Sequence, residues 1–109
     1  MNRGDVRLVA GGNAYTGKPR PAIIFQDPAI TLDSVIIVPV TSVYADAEEL
    51  RVYIEPGAQT GLRAPSWAMA DKIAAIPLTR LGAHIGALPD ATLRKLDVAV
   101  LVATGIASR

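Results

Sequence analysis

An arginine held between two prolines is the clearest chemical feature of this sequence. Pro19 and Pro21 flank Arg20. Because a residue before a proline is pushed into extended geometry, the backbone that carries this guanidinium is stiff before anything binds. A planar guanidinium donates parallel hydrogen bonds to two oxygens at once, which suits a phosphate. The motif therefore indicates a phosphate site, but arginines between prolines also occur in surface loops that bind nothing.

A hydroxyl group closes the next apolar run, at Pro39-Val40-Thr41-Ser42. Two apolar strands separated by a turn-rich stretch would bring Thr41 near Arg20 if the strand ends align. A threonine after a strand also often satisfies its own turn through its hydroxyl. The pair of an arginine and a hydroxyl suggests phosphate chemistry.

Two aromatic residues can stack on unpaired bases, as aromatic side chains do in proteins that bind single strands. Trp67 lies in an apolar stretch, where a tryptophan is more often core or interface, whereas Tyr15 lies in the Gly-rich loop 11–17 and is the better candidate. His84 has no second histidine and no nucleophile near it in sequence, which favours a strand surface over a general base.

Alternating and β-branched residues predict a sheet, with strands over 5–10, 21–26, 34–40, 50–54 and 67–76 and a short one over 85–88. Pro89 and Asp90 then open a helix, which Gly105 is placed to end. One face of this helix carries Leu93, Leu96, Val100 and Ala103. The sequence thus predicts a mainly β fold with one C-terminal helix packed on a small curled sheet.

The composition fits one small domain over residues 1–109, of which 50% are hydrophobic. The absence of cysteine excludes disulfides and thiolate metal sites, and a single histidine makes a zinc site improbable, so we expect no metal and no cofactor. Charges precede any apolar stretch, and no apolar run approaches the roughly 20 residues of a membrane span. We therefore expect a cytoplasmic protein without a membrane anchor.

Charge is small overall but uneven along the chain. The formal net charge of +1 argues against a protein that coats nucleic acid through a broad basic field. Residues 1–20 hold four basic side chains against Asp5 alone, and residues 46–55 hold four acidic ones against Arg51 alone. The first segment can attract phosphate, whereas a plain solvated surface is the simpler interpretation of either run.

Five short motifs, in order along almost the whole chain, resemble those of the PemK/MazF family of type II toxins. They are Arg3-Gly4-Asp5-Val6, Arg20-Pro21-Ala22, Pro39-Val40-Thr41-Ser42, Ala70-Asp71-Lys72-Ile73 and Ile85-Gly86-Ala87-Leu88 before the helix. The resemblance implies a small SH3-like barrel of the PemK, MazF and CcdB toxin type. It also implies an endoribonuclease that cuts single-stranded RNA in a sequence-specific way, without metal, to 2′,3′-cyclic phosphate and 5′-hydroxyl ends.

The same resemblance assigns site residues. Arg20 and Thr41 match the family's usual catalytic pair, and Asp71 is the most plausible remaining proton acceptor, unless it only forms an ion pair or a turn contact. RNA-binding or auxiliary positions are Tyr15, Lys18, Ser42, Asp71 and Lys72. Two departures stand out: loop 11–17 has no acid or histidine, and Met69 replaces the arginine of some members.

Family members are usually symmetric dimers, and their antitoxins usually lay a disordered acidic segment across the toxin groove. We therefore expect a homodimer, a cognate antitoxin and single-stranded RNA as partners. Two alternatives stay open. One is a CcdB-like poison that binds a protein target such as DNA gyrase, and the other is an inactive relative that only binds an antitoxin.

Overall fold

Seven strands and one C-terminal helix form the fold, in a computed structural model that describes residues 1–11, 18–47 and 49–108. The strands are β1 (Asp5–Val9), β2 (Arg20–Ile24), β3 (Ser34–Thr41), β4 (Arg51–Ile54), β5 (Ser66–Met69), β6 (Ala74–Pro77) and β7 (Leu81–Ala87), and the helix is α1 (Asp90–Ala103). The mainly β fold with one C-terminal helix is confirmed. The first four predicted strands are also confirmed, within one or two residues at each end.

All strand pairs are antiparallel, and the strands lie in the order β4-β5-β3-β2-β1-β7, with β6 also paired to β3. The sheet is not closed, since β4 and β7 are not paired with each other. The long strand β3 is central, because β2 lies along one side of it and both β5 and β6 lie along the other. The last residue of this strand, Thr41, belongs to the site described below.

The predicted strand over 67–76 is wrong in its continuity. A 3-10 turn at Ala70–Lys72 divides it into β5, which pairs with the end of β3, and β6, which pairs with its beginning. Asp71 and Lys72 are poor strand residues, and the turn exposes both of them. The residues on each side of the turn have the pattern of a strand, and for this reason the sequence predicted one continuous strand.

The last strand is longer than the sequence predicted, because β7 begins at Leu81 rather than at residue 85. Gly82 and Gly86 weaken the strand pattern, yet both lie where another backbone approaches closely. A Cβ atom on Gly86 would lie 2.3 Å from the carbonyl carbon of Thr60, in the connection between β4 and β5. That connection crosses β7, and the Ala87 amide donates to the Gln59 carbonyl over 2.9 Å.

The helix covers one face of the sheet and closes the main core. Leu96, Ala99 and Val100 are its buried residues. They pack with the inward side chains of the sheet, which include Val6, Ile23, Val38, Val40, Val52, Ile54 and Ala68. The prediction that Ala103 lies on the packed face is wrong, because Ala103 is exposed. The predicted stop is confirmed, since Gly105 follows the helix with φ +78°.

A second, smaller cluster lies on the other face of the sheet. It contains Val9, Ala22, Ile24, Val35, Ile37 and Ile76, with Leu81 packed against it. Side chains alternate between faces along a strand. Arg20 lies two residues before Ala22, and Thr41 lies two residues after Pro39, so both project on this second face. In the part of the chain that the structure describes, no helix is long and apolar enough to cross a membrane.

Candidate active site

Arg20 is the first residue of β2 and is exposed to solvent. Its backbone is held by strand β1, since Arg20 pairs with Val9. Within the described residues its guanidinium makes no hydrogen bond or ion pair with another side chain or carbonyl. Its backbone is thus fixed, and no group in the described part of the chain competes with a ligand for its donors.

Thr41 is the last residue of β3, at the end of that strand nearest the start of β2. Strands β2 and β3 pair Ala22 with Pro39 and Ile23 with Val38, and the same register continued by two residues sets Arg20 against Thr41. Antiparallel residues that lie directly opposite point to one face, with their Cβ atoms about 5 Å apart. The alignment of strand ends on which the predicted pair depends is therefore present.

The hydroxyl of Thr41 also takes part in its own turn. Its Oγ1 accepts a hydrogen bond from the Val43 amide over 3.1 Å, which is the local contact that the sequence offered as the alternative. Because this bond uses a lone pair of the oxygen, the hydroxyl proton is left to donate to something else. The contact therefore orients the hydroxyl group and leaves its proton for a hydrogen bond to a ligand.

The row continues from Thr41 across the next two strands. Thr41 pairs with Trp67 on β5, and Trp67 pairs with Tyr53 on β4. Arg20, Thr41, Trp67 and Tyr53 thus form one line of side chains on the same face, perpendicular to the strands. We call this line the Arg20–Tyr53 row.

Three aromatic rings lie together at the far half of this row. The ring centroids of Tyr44 and Trp67 are 5.5 Å apart, and those of Tyr53 and Trp67 are 5.8 Å apart, both in edge-to-face geometry. Tyr44 is 60% exposed and Tyr53 46% exposed. The hydroxyl of Tyr53 donates to Glu55 over 2.9 Å, and this bond raises the pKa of Tyr53, which stays neutral well above neutral pH.

An ion pair borders the row on the same face. Arg51, two residues before Tyr53 on β4, donates from Nε and Nη2 to the two oxygens of Asp71 over 2.9 and 3.2 Å. These hydrogen bonds hold the pKa of Asp71 below its usual value of 3.8, with smaller contributions from its own backbone amide and from the charges of Arg51 and Lys72. The partner of Asp71 is thus Arg51, twenty residues away, rather than the adjacent Lys72.

Replacing Asp71 by asparagine is expected to lower the free energy of unfolding by about 1 kcal/mol at neutral pH, because a partly exposed bidentate pair is lost. A carboxyl group whose pKa is lower in the folded state stabilises the fold above its unfolded pKa and loses this contribution as the pH falls. The difference between wild type and variant should therefore shrink below pH 3.8. Urea melts from pH 7 to pH 2 measure it, and a difference that stays constant would contradict the account.

The structure places the other predicted residues in different settings. Lys18 and Ser42 are exposed beside the row, just before β2 and just after β3, and Lys72 is exposed in the 3-10 turn. Tyr15 lies outside the described residues. His84 is 54% exposed on β7, with Nε2 3.7 Å from Asp5, in keeping with a strand surface.

Two of the N-terminal arginines do not contribute to the row. Arg3 donates to both carboxylate oxygens of Asp97 on α1, over 2.8 and 2.9 Å, and lies over the ring of Phe25. Arg7 donates to the Gly82 carbonyl over 2.8 Å. The basic segment predicted over 1–20 is therefore divided, and of its arginines only Arg20 faces the site without a partner among the described residues.

Sequence reasoning missed Tyr44, Tyr53 and Arg51. Tyr53 and Arg51 alternate with the buried Val52 and Ile54 on β4. This alternation could have predicted that both lie on the outer face. That they lie near Thr41 follows only from the register of β4, β5 and β3. Tyr44 lies in a loop, for which periodicity gives no position. Among the described residues no group of three or more His, Asp or Glu side chains could hold a metal ion.

Comparison with known proteins gives a consistent result. A family model described as "PemK-like, MazF-like toxin of type II toxin-antitoxin system" matches residues 2–103. A probable endoribonuclease MazF of Mycolicibacterium smegmatis is 43% identical over 108 residues, which cover 98% of this chain and 99% of that protein.

Solved structures share the fold. A mycobacterial endoribonuclease in complex with its cognate antitoxin superposes with a TM-score of 0.81 at 22% identity, over 100% of this chain and 99% of that one. The MazE-MazF structure from Deinococcus radiodurans gives a TM-score of 0.78 at 15% identity, over 98% of both chains. At these identities the structural likeness concerns the arrangement of strands and helix.

Proposed function

This chain belongs to the PemK-like, MazF-like toxin family of type II toxin–antitoxin systems, a family of endoribonucleases, and we propose that Arg20 and Thr41 are the pair with which it cuts single-stranded RNA in the cytoplasm. The observation that supports this proposal is the register of β2 and β3, which pairs Ala22 with Pro39 and, continued by two residues, brings Arg20 opposite Thr41. The guanidinium, which has no partner among the described residues, and the fixed hydroxyl supply the donors that a phosphodiester requires.

The reaction needs little from the protein, because RNA carries its own nucleophile in the 2′-hydroxyl group. The protein aligns this hydroxyl with the adjacent phosphorus, holds the phosphoryl oxygens and stabilises the charge that grows on them. Attack of the 2′-oxygen on phosphorus breaks the bond to the 5′-oxygen of the next nucleotide. The products are a 2′,3′-cyclic phosphate and a 5′-hydroxyl end.

Arg20 is assigned to the two non-bridging oxygens, which match the spacing of its parallel donors. Thr41 is assigned a hydrogen bond to the same group or to the 2′-hydroxyl, since its proton is not used by Val43. Asp71 is ionised and faces the same side of the sheet, but its hydrogen bonds with Arg51 lower its pKa and make it a weak base. We therefore assign Asp71 chiefly to holding Arg51 beside the row.

The test is incubation of the pure protein with a long unstructured RNA in excess EDTA, followed by mapping of the cut ends. We expect cleavage at a restricted set of sequences. An intact RNA would contradict the proposal. The same assay separates this function from that of a gyrase poison, for which RNA stays intact and gyrase is inhibited; family membership does not favour that alternative.

We further propose a homodimer. The outer side of α1 and the segment after it carry exposed apolar side chains, Val98, Leu101 and Ile106, which a domain of this size is expected to cover. A groove of about 820 Å³ runs between α1 and the edge strand β4. Its lining is partly apolar, with Val52, Val98, Ala99 and Val102, and also includes Tyr53 and the polar residues Glu49, Glu55, Thr92, Arg94 and Lys95. Sedimentation at micromolar concentration should give the mass of two chains, and a monomer mass would contradict the dimer.

The third partner proposed is an antitoxin with a disordered acidic segment. Two solved structures with this fold are complexes, one of a mycobacterial endoribonuclease with its cognate antitoxin and one of MazE with MazF. Carboxylates would compete with RNA phosphates for Arg20. A labelled acidic peptide from the neighbouring gene should be displaced by single-stranded RNA and bind more weakly as salt rises; simultaneous binding of both would contradict a shared site.

A further inference from the structure

The aromatic cluster of Tyr44, Trp67 and Tyr53 has no role in the chemistry described above. These rings belong to three different segments, the loop after β3 and strands β5 and β4, and the two tyrosines both contact the indole edge to face. Tyrosines this exposed are not needed for a core. A surface of three adjoining rings beside a phosphate site calls for an explanation.

We propose that this cluster is a stacking platform for an unpaired base of the RNA, on the nucleotide next to the bond that is cut. The proposal rests on the endoribonuclease function above. It adds a binding subsite to that function and assigns the subsite to Tyr44, Trp67 and Tyr53. Aromatic side chains hold bases by their π-faces in proteins that bind single strands.

Position supports a base close to the cleaved bond. Trp67 pairs with Thr41, so the two lie one strand spacing apart, about 4.8 Å. Arg20 lies one further strand beyond Thr41, and Tyr53 lies one strand beyond Trp67 on the other side. A strand of RNA held by a phosphate at Arg20 and Thr41 thus meets the rings with its neighbouring base.

Charge orients the strand along the row. The Glu55 carboxylate accepts from the Tyr53 hydroxyl and so fixes that ring, and Arg51 on the same strand is already paired with Asp71. Arg20 favours a phosphate at the opposite end. The sugar–phosphate backbone therefore lies toward β2 and the base toward β4.

Binding can be read from the protein itself, because Trp67 is the only tryptophan of the chain. The probe is a random-sequence RNA of about 12 nucleotides, long enough for one small domain, with every 2′-hydroxyl methylated so that it cannot be cut. We expect this probe to quench the Trp67 fluorescence. An abasic sugar–phosphate chain of equal length should quench it far less, since it has no bases to stack.

Alanine and phenylalanine variants separate the contribution of the tyrosine ring from that of its hydroxyl group. Tyr44→Ala and Tyr53→Ala should each weaken binding of the probe about tenfold and raise KM for a cleavable RNA, with kcat little changed. Tyr44→Phe keeps the ring and should bind like wild type, and Tyr53→Phe, which keeps the ring but loses the bond to Glu55, should bind more tightly than Tyr53→Ala. Leu32→Ala removes an exposed apolar side chain from the connection between β2 and β3, away from both the row and α1, and serves as a control for general loss of surface.

The outcomes distinguish this inference from the function on which it rests. RNA that is cut normally by both alanine variants, with unchanged KM, would overturn the platform and leave the nuclease intact. Quenching by the probe without any RNA cleavage by wild type would support the platform and overturn the nuclease. Loss of the dimer in Tyr53→Ala, with unchanged probe affinity per folded chain, would assign the rings to a contact between copies and overturn the platform.

Discussion

Replacing Arg20 by alanine is expected to slow RNA cleavage about a hundredfold or more, which corresponds to about 3 kcal/mol of transition-state stabilisation. The guanidinium is exposed and has no partner among the described residues, so its removal breaks no packing. The expected signature is a lower kcat with an unchanged melting temperature. Single-turnover cleavage of a mapped RNA, measured beside a thermal melt, checks both halves.

Two further variants sharpen this result. Arg20→Lys keeps the charge but loses the parallel donors, so its rate should stay well below that of wild type. Arg63→Ala removes another exposed arginine, in the connection between β4 and β5, and should leave the rate unchanged. Thr41→Ala should lose less than Arg20→Ala if the hydroxyl only positions the RNA, and Thr41→Ser should retain most of the activity. Wild-type rates in both alanine variants would show that the site lies elsewhere.

Substituting Gly61 by alanine is expected to lower the free energy of unfolding by about 2–4 kcal/mol. Gly61 has φ +73°, and a Cβ atom there would lie 2.0 Å from the Ile85 carbonyl oxygen on β7. A left-handed non-glycine residue costs about 1 kcal/mol, and a forced backbone shift adds about 1–3 kcal/mol. The melting temperature should fall by about 10 °C or more.

Gly105 supplies a matched control for this prediction. Its φ is +78°, close to that of Gly61, but no atom lies within 4 Å of a Cβ built there. Gly105→Ala should therefore cost only the conformational part, about 1 kcal/mol. Equal melting temperatures for the two variants would show that the β4–β5 connection does not press against β7 as described.

The fold could be predicted from the sequence wherever the spacing of apolar residues and the positions of turn residues indicated the same element. Strands β1 to β4 follow from alternation between turn residues, and α1 follows from its apolar spacing and from Gly105. The break at Ala70–Lys72 and the early start of β7 could not be predicted, because both depend on which backbone lies alongside. Gly82 and Gly86 weaken the strand signal at the places where close approach requires them.

The site could be predicted in part. Proline neighbours make Arg20 recognisable, and the end of an apolar run makes Thr41 recognisable, although only the register sets them on one face. The partner of Asp71 could not be foreseen, since Arg51 lies on the neighbouring strand β4, twenty residues away in sequence. Trp67 was expected to be core or interface, and its contacts with Tyr44 and Tyr53 appear only when β5 is placed between β3 and β4.

The chemistry of the cut ends tests the central claim most directly. An RNA with one mapped cleavage site is incubated with the protein in EDTA, and a second RNA differs only by a 2′-deoxy sugar at that site. The account predicts a 2′,3′-cyclic phosphate and a 5′-hydroxyl end from the first RNA and no cut in the second, because the 2′-oxygen is the nucleophile. Cleavage of the deoxy substrate, or ends with a 5′-phosphate and a 3′-hydroxyl, would contradict it.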